Sequence, residues 1–430
     1  MYRIISDRIS GKKNCFHIGI KLTVSLIVFL LQSYLLTLFA DSHIDAKYQL
    51  NRKQYQVVPE YKRNLKNIVV SLKAGSSSLD LHHEMFKRLP SYTNISLLVS
   101  NDVYEDVRES IKRTPYGNKT SVLKYNTEIK SDGTLYILDN AKGFAVKDLQ
   151  NPVPIQIGTF WMQDIFIPVI SPDRAMKMVT PPFHMCLWSK DKFSRDNLIH
   201  DNDFIQGLMI KGLKQCEIPV VFNGGNIRFG EISGKRIAFC GSDVLLNTSI
   251  FRETFPDEAV SDSIVTDIIA ETFGADEVVI IDEGTKQPYY MFHLDQAFVI
   301  VADSVACVTR VIENTHEYGK HKAGIEVVEN YLKKVRKTLA ASGLKIVDID
   351  TPVHNILRQE YYVNAIPFID AETGEKKILL PVYDTRIKSD KEILENNINK
   401  FTSLGYRIIP VTMKENILRG GLHCMINVID

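Results

Sequence analysis

Net charge is almost absent from this sequence: 52 Lys and Arg stand against 51 Asp and Glu over 430 residues. A chain with a formal charge of +1 carries no global field to draw it to nucleic acid or to an acidic surface. Paired cysteines are missing too. Cys15, Cys186, Cys216, Cys240, Cys307 and Cys424 form no Cys-x-x-Cys and no zinc-ligand spacing, which excludes a structural metal from the expectations. No Pro-, Gly- or Ser-rich linker and no low-complexity segment divides the chain beyond its N-terminal part, which argues against a string of small domains. What is present, 45% hydrophobic and 24% charged residues, suffices for a large core.

One long apolar run stands out. Leu22 to Ala40 contains no charged residue and follows Lys12, Lys13 and Lys21, the layout of a secretory signal. Its length also approaches a single membrane crossing, and Leu38 before Ala40 matches the small-residue cleavage pattern poorly, so a retained anchor is the alternative. The expected organisation is a signal peptide or signal anchor at 1–40, a polar leader at 41–64 and one catalytic domain at 65–430. That places the domain outside the cytoplasm: secreted, periplasmic or membrane-anchored, touching a membrane only through the N-terminal anchor.

Past the leader, short β-branched runs alternate with helical composition. Strands are expected at Ile68–Leu72, Ser96–Ser100, Thr134–Leu138, Ile218–Asn223, Arg236–Cys240, Glu277–Ile281, Ala297–Ala302, Lys345–Ile349, Lys377–Pro381 and Tyr406–Val411. Helices are expected at His83–Leu89, Ser261–Phe273, Ile325–Ala341 and Lys391–Leu404, the last capped by Ser389 and Asp390 and stopped by Gly405. The alternation predicts an α/β domain; internal repetition is too faint to read at the residue level.

Chemistry gathers in three clusters: Trp161-Met162-Gln163-Asp164, Phe292-His293-Leu294-Asp295 and Arg419-Gly420-Gly421-Leu422-His423-Cys424. A fourth, Phe222-Asn223-Gly224-Gly225-Asn226, supplies a tight turn. Singly each has a bland explanation, since a lone Cys is usually a small buried hydrophobe and a His and Asp two apart on an extended segment can simply share a structural hydrogen bond. As an ordered set they resemble the pentein superfamily of guanidine-modifying enzymes, above all the peptidyl-arginine deiminases. Those carry Trp-x-Gln-Asp, Gly-Asn, His-x-Asp and Gly-x-x-His-Cys in this order. Arg236 to Asp243 and Asn364 with Pro381 extend the likeness between the motifs.

The resemblance implies a pentein-type αβ-propeller of five ββαβ units around a central active-site funnel. It implies Cys424 as nucleophile, His293 as acid and base, and Asp164 and Asp295 as the clamp on a guanidinium ion. A planar, weakly electrophilic cation needs bidentate carboxylates to hold it and a thiolate to attack it. Trp161, Asn226, Asn364 and Arg228 complete the expected substrate-binding set. The reaction implied is hydrolysis to a ureido group and ammonia through a covalent thiouronium, with peptidyl arginine favoured; an arginine-containing peptide or protein is the expected partner.

Departures from the family pattern carry their own expectations. The vertebrate peptidyl-arginine deiminases need calcium at sites that include the Gln of Trp-x-Gln-Asp. Gln163 is retained, but Ile167 and Arg228 occupy acidic positions, so no calcium is expected. Arg228, if it follows Asn226 on a strand, could bind a substrate carboxylate, which would favour free or C-terminal arginine. The competing readings are a small-guanidine deiminase acting on free arginine or agmatine, an amidinotransferase, and a catalytically inactive pentein-like binding protein.

Overall fold

The computed structural model describes residues 55–72, 76–125, 127–129, 135–137, 161–182, 214–254, 260–313, 317–383, 388–413 and 420–430. The expected signal or anchor segment at 1–40 and Arg419 lie outside the described residues. No helix among the described residues is long and apolar enough to cross a membrane.

The chain opens with β1 (Asn67–Ser71), α1 (Asp80–Arg88), β2 (Asn94–Ser100), α2 (Tyr104–Lys112) and β3 (Thr120–Tyr125), whose three strands run parallel. A small hairpin, β4 (Thr127–Ile129) and β5 (Leu135–Ile137), follows. After a short helix α3 (Met162–Ile165) come β6 (Ile167–Ile170), β7 (Met176–Thr180) and β8 (Lys214–Glu217). The next sheet holds β9 (Ile227–Ile232) and β10 (Lys235–Gly241), then α4 (Asp243–Thr254) and α5 (Asp262–Phe273) cross to β11 (Glu277–Ile281). Helix α6 (Leu294–Ala297) leads into β12 (Phe298–Ala302), β13 (Val305–Ile312), α7 (Glu317–Ala341), β14 (Lys345–Pro352) and α8 (Val353–Leu357). Finally β15 (Ile366–Ile369), β16 (Lys376–Val382), α9 (Lys388–Ser403) and β17 (Arg407–Thr412) precede the terminal strand β18 (Asn427–Val428).

One rule generates four of these sheets. Two strands form an antiparallel hairpin, and the chain then crosses to a third strand lying parallel to the second: β6-β7-β8, β9-β10-β11, β12-β13-β14 and β15-β16-β17. The fifth sheet obeys it by joining the two ends of the domain, because β18 pairs antiparallel with β1 at Ile68↔Val428 and Val69↔Asn427. The repeat unseen in the residues is therefore present in the topology.

Sequence periodicity explains the crossovers. In α7, Ile325, Val328, Leu332, Val335 and Leu339 recur at helical spacing, and all are buried in the core that also holds Phe298, Ile300, Val308 and Tyr361. Gly405, with φ +84°, supplies the left-handed stop after α9. That helix starts at Lys388, so Ser389 and Asp390 lie in its first turn and do not cap it; Asp390 is instead buried against His354 Nε2 at 3.0 Å.

A second departure is instructive. Ile218–Asn223 is not a strand: its Ile218, Val220, Val221 and Phe222 are buried in irregular backbone, and the Val221 amide is satisfied by Thr248 Oγ1 at 3.0 Å. Burial alone made this run apolar, and the strand lies just before it, in β8. The leader also ends earlier than 64, since Tyr55, Val57, Tyr61 and Arg63 are buried against the sheets.

Each unit begins with a tight turn immediately before its first strand, and hydrogen bonds between these turns close a ring. The Gly225 amide donates to Asp164 Oδ1 (3.3 Å), and the Leu294 amide to Asn226 Oδ1 (3.2 Å). Asn364 Nδ2 donates to the Asp295 carbonyl (3.3 Å), the His423 amide to Asn364 Oδ1 (2.8 Å), and Asn427 Nδ2 to the Met162 carbonyl (3.2 Å). Five units are thus latched to one another around a common centre.

Candidate active site

The ring of turns delivers one polar residue per unit to the centre. Asp164 comes from α3, Asn226 from the 3-10 turn Gly224–Asn226, Asp295 from α6, Asn364 from the turn before β15 and Cys424 from the 3-10 turn His423–Met425. His293 is the N-cap of α6, its amide donating to Gln296 Oε1 (3.3 Å). The His-x-Asp segment is therefore helical from Leu294 onward, not extended, and the two side chains converge through the cap. All six residues are buried.

Gly225 marks where they meet. A Cβ built at Gly225 would stand 3.0 Å from Asp164 Oδ1, 3.0 Å from Asp295 Oδ2 and 3.1 Å from His293 Nδ1. The Cys424 thiol donates to Asp295 Oδ2 at 3.3 Å, and Asn364 Nδ2 donates to Cys424 Sγ at 3.2 Å. His293 Nδ1 lies 3.6 Å from Asp164 Oδ1, Asn223 Nδ2 lies 3.0 Å from His293 Nε2, and the Phe292 ring packs edge-on against the imidazole. Thiol, imidazole and two carboxylates thus surround one small space.

That space is electrostatically incomplete. Asp295 is only 1% exposed, yet its Oδ1 has no hydrogen-bond partner in the structure. Burial, opposed by His293 and reinforced by Asp295, pushes the Asp164 carboxyl up to about 6. Burial, followed by the charges of Asp295 and Asp164, drives the Cys424 thiol well above its ordinary range. Asp295 itself is held below the usual carboxylate range: burial opposes its charge, and the hydrogen bond and charge of His423 outweigh burial. A cation placed between the carboxylates would satisfy the open oxygen and relieve the repulsion that keeps the thiol protonated.

The remaining sequence-predicted residues fall into different places. Trp161 packs on the cysteine motif, since a Cβ at Gly420 would come within 2.5 Å of its Cη2. Asn226 is engaged with Gln287 Oε1 (2.6 Å) and the Leu294 amide, which makes it a latch between units. Asn364 Oδ1 accepts from the His423 and Cys424 amides, and its Nδ2 donates to the Cys424 sulfur. Arg228 lies on β9 but offers no free fork: Nη1 and Nη2 donate to Glu60 Oε1 (2.8 Å) and Oε2 (2.5 Å). It is neither a solvated surface arginine nor open to a substrate carboxylate. Ile167 is buried at the start of β6. The four described cysteines, Cys216, Cys240, Cys307 and Cys424, are free thiols.

Two neighbours of the site carried no role in the sequence reading. His423 stood inside the cysteine motif and was visible there. Glu60 stood in the presumed leader, with nothing in its surroundings to mark it.

A model of the Porphyromonas-type peptidyl-arginine deiminase family matches residues 80–428. No curated protein matches the chain. Among solved structures, C. jejuni agmatine deiminase is similar with a TM-score of 0.53 at 16% identity, covering 87% of this chain and 96% of that one. The agmatine deiminase of Enterococcus faecalis is similar with a TM-score of 0.57 at 13% identity, covering 87% and 96%. At such identities the likeness speaks to fold, and the fold is the five-unit pentein arrangement.

Proposed function

This chain belongs to the Porphyromonas-type peptidyl-arginine deiminase family and is a guanidino-modifying deiminase, a hydrolase of C–N bonds; from that premise we propose that it converts peptidyl arginine to its ureido form through a covalent thiouronium on Cys424. The observation that carries the reading is the buried, unpartnered Asp295 Oδ1 beside a thiol that touches the same carboxylate. Two buried carboxylates of this kind call for a planar cation.

Asp164 and Asp295 take the guanidinium N–H groups. Their charges are then compensated, so the barrier to ionising Cys424 falls as substrate binds, with Asn364 Nδ2 donating to the sulfur. The Cys424 proton passes to His293 and the thiolate attacks the guanidinium carbon. His293 protonates the departing nitrogen, ammonia leaves, and Cys424 carries the thiouronium. A water deprotonated by His293 adds to the same carbon, the C–S bond breaks and the thiolate is regenerated. The guanidinium group and water become a ureido group and ammonium, with no redox step.

The pairing of Arg228 with Glu60 removes the basis for preferring a substrate with its own carboxylate, which supports peptidyl over free arginine. We propose calcium-independent turnover as well. Its support is Ile167 buried in β6 and Arg228 committed to Glu60. The apolar run at 22–40 supports placing the catalytic part outside the cytoplasm, which fractionation of cells expressing the full chain checks: activity confined to the cytosol would contradict it.

The test is ureido-product release from a blocked arginine ester, an arginine peptide, free arginine and agmatine, each with and without chelator. Release from the first two, persisting in chelator and lost in Cys424→Ala, supports the proposal. Turnover of agmatine or free arginine alone would move the substrate to a small guanidine. Ornithine- or glycine-dependent transfer would reveal an amidinotransferase, and no turnover at all would favour a binding protein.

A further inference from the structure

Behind the catalytic groups lies a second buried set of charges that the deimination steps do not use. His423 Nδ1 donates to Asp295 Oδ2 (2.9 Å) and its Nε2 faces Glu60 Oε1 (2.8 Å); Arg228 grips both oxygens of Glu60 and stands 2.6 Å from His423 Nε2. With His423 protonated, signs alternate along the row: carboxylate, imidazolium, carboxylate, guanidinium. We propose that Glu60 is a positioning residue for deimination, acting through His423 to keep Asp295 Oδ2 engaged and Oδ1 open to the substrate.

The geometry makes the chain of effects specific. Asp295 has two oxygens, and the imidazole takes the one shared with the Cys424 thiol, so the carboxylate cannot rotate without breaking that bond, and Oδ1 is left as the unpartnered oxygen. His423 bonds both carboxylates only as the imidazolium. Glu60, Asp295 and Arg228 face it, Arg63 stands behind Glu60, Asp164 acts from α3, and Cys424 follows it in the chain. Burial works against charge on His423, and Glu60 and Asp295 outweigh both burial and Arg228, so the imidazole is held above its ordinary range. Without the Glu60 charge, Arg228 at 2.6 Å would expel the proton.

Glu60 also ties this charge network to a strap outside the 80–428 region matched by the family. The strap is firmly seated: Tyr61 Oη donates to Asp303 (2.8 Å) and receives the Glu231 amide (3.0 Å), Lys62 pairs with Glu231, and Arg63 reaches the Val428 carbonyl (3.3 Å). Its 3-10 turn, Glu60–Lys62, packs on β12 and β15, so one N-terminal residue bears on groups from three units.

This inference rests on the deiminase reading, and the experiment separates the two. In Glu60→Gln the acid limb of kcat/KM, which Asp164 sets, should rise by about 0.5 pH unit, because Asp164 loses the charge of His423 that favours its ionised form. Turnover at neutral pH should fall about 10-fold or more through misplacement of the clamp. The double variant E60Q/R228Q, which also removes the opposing cation, should recover much of that loss. Nitrogen-15 imidazole spectra, with the His423 signal identified by its loss in His423→Gln, should show an imidazolium in wild type and a neutral ring in Glu60→Gln. An unmoved pH profile with an unchanged His423 signal would overturn the proposal, as would a loss matching only the unfolded fraction and no recovery in the double variant. Should Glu60→Gln not fold, the charge-balanced double variant is read instead, and it must keep the imidazolium. If wild type turned over no guanidine, the deiminase reading would fall, while the imidazole signal would still decide the Glu60 linkage.

Discussion

Gly225→Ala tests the catalytic geometry with a single methyl group. The backbone at 225 lies outside the left-handed region, so alanine meets no conformational penalty there. The methyl would stand 3.0 Å from Asp164 Oδ1, 3.0 Å from Asp295 Oδ2 and 3.1 Å from His293 Nδ1. Comfortable contact between heavy atoms is about 3.5 Å or more, so all three groups must each give by about half an ångström. Displacement on this scale, with the substrate's own N–H positions partly filled, should lower kcat/KM by roughly 100-fold, or about 2.7 kcal/mol of transition-state stabilisation. Overpacking should cost stability only about 1–3 kcal/mol, so the protein should remain folded. Steady-state ureido release beside a thermal melt gives both numbers. Near-wild-type turnover in a folded Gly225→Ala protein would refute the convergence of Asp164, Asp295 and His293 on one substrate position.

Further outcomes follow from individual groups. The proposed clamp needs Asp164 ionised, so kcat/KM should fall below about pH 6, and the acid limb of kcat should lie lower still because bound guanidinium favours the carboxylate. Because the folded pKa of Asp164 is raised, its contribution to stability is present below its unfolded value and lost as pH rises through about 6. Asp164→Asn should therefore melt higher than wild type above pH 6, with the gain fading toward pH 4 and no turnover at any pH; a lower melting temperature at pH 8 would contradict the sign. Asn427→Ala removes donors to the Met162 and Phe166 carbonyls (3.2 and 2.6 Å) where the last unit meets the β6 unit, and should cost about 1–3 kcal/mol in a denaturant titration. A loss near zero would mean that β18 alone closes the ring.

The motifs were legible because chemistry restricts residue type. A thiol beside an imidazole, with Asp at two other places in the same order, has few substitutes, and the glycines that let the turns approach are visible as Gly224-Gly225 and Gly420-Gly421. Long amphipathic helices such as α7 were legible from period alone. The short first strands were harder to read. β6, β15 and β18 follow directly on tight turns and are too brief to show alternation, β9 carries Arg228, Gly230 and Glu231 in its interior, and Ile218–Asn223 looked like a strand because burial selects the same residues in irregular backbone. The repeat escaped for a related reason: its units share hydrogen-bonding topology, and different residues satisfy it in each.

What the sequence nominated by itself is the candidate set Cys424, His293, Asp164 and Asp295, with their order and the turns that carry them. Only the tertiary structure decided what Arg228 and Glu60 do. A guanidinium on a strand reads identically whether it meets water, a substrate or a carboxylate brought from 168 residues away. The partner is chosen by ring closure and burial, which bring distant segments together and leave a charge no solvent to fall back on, and neither can be read from the spacing of residues along a chain.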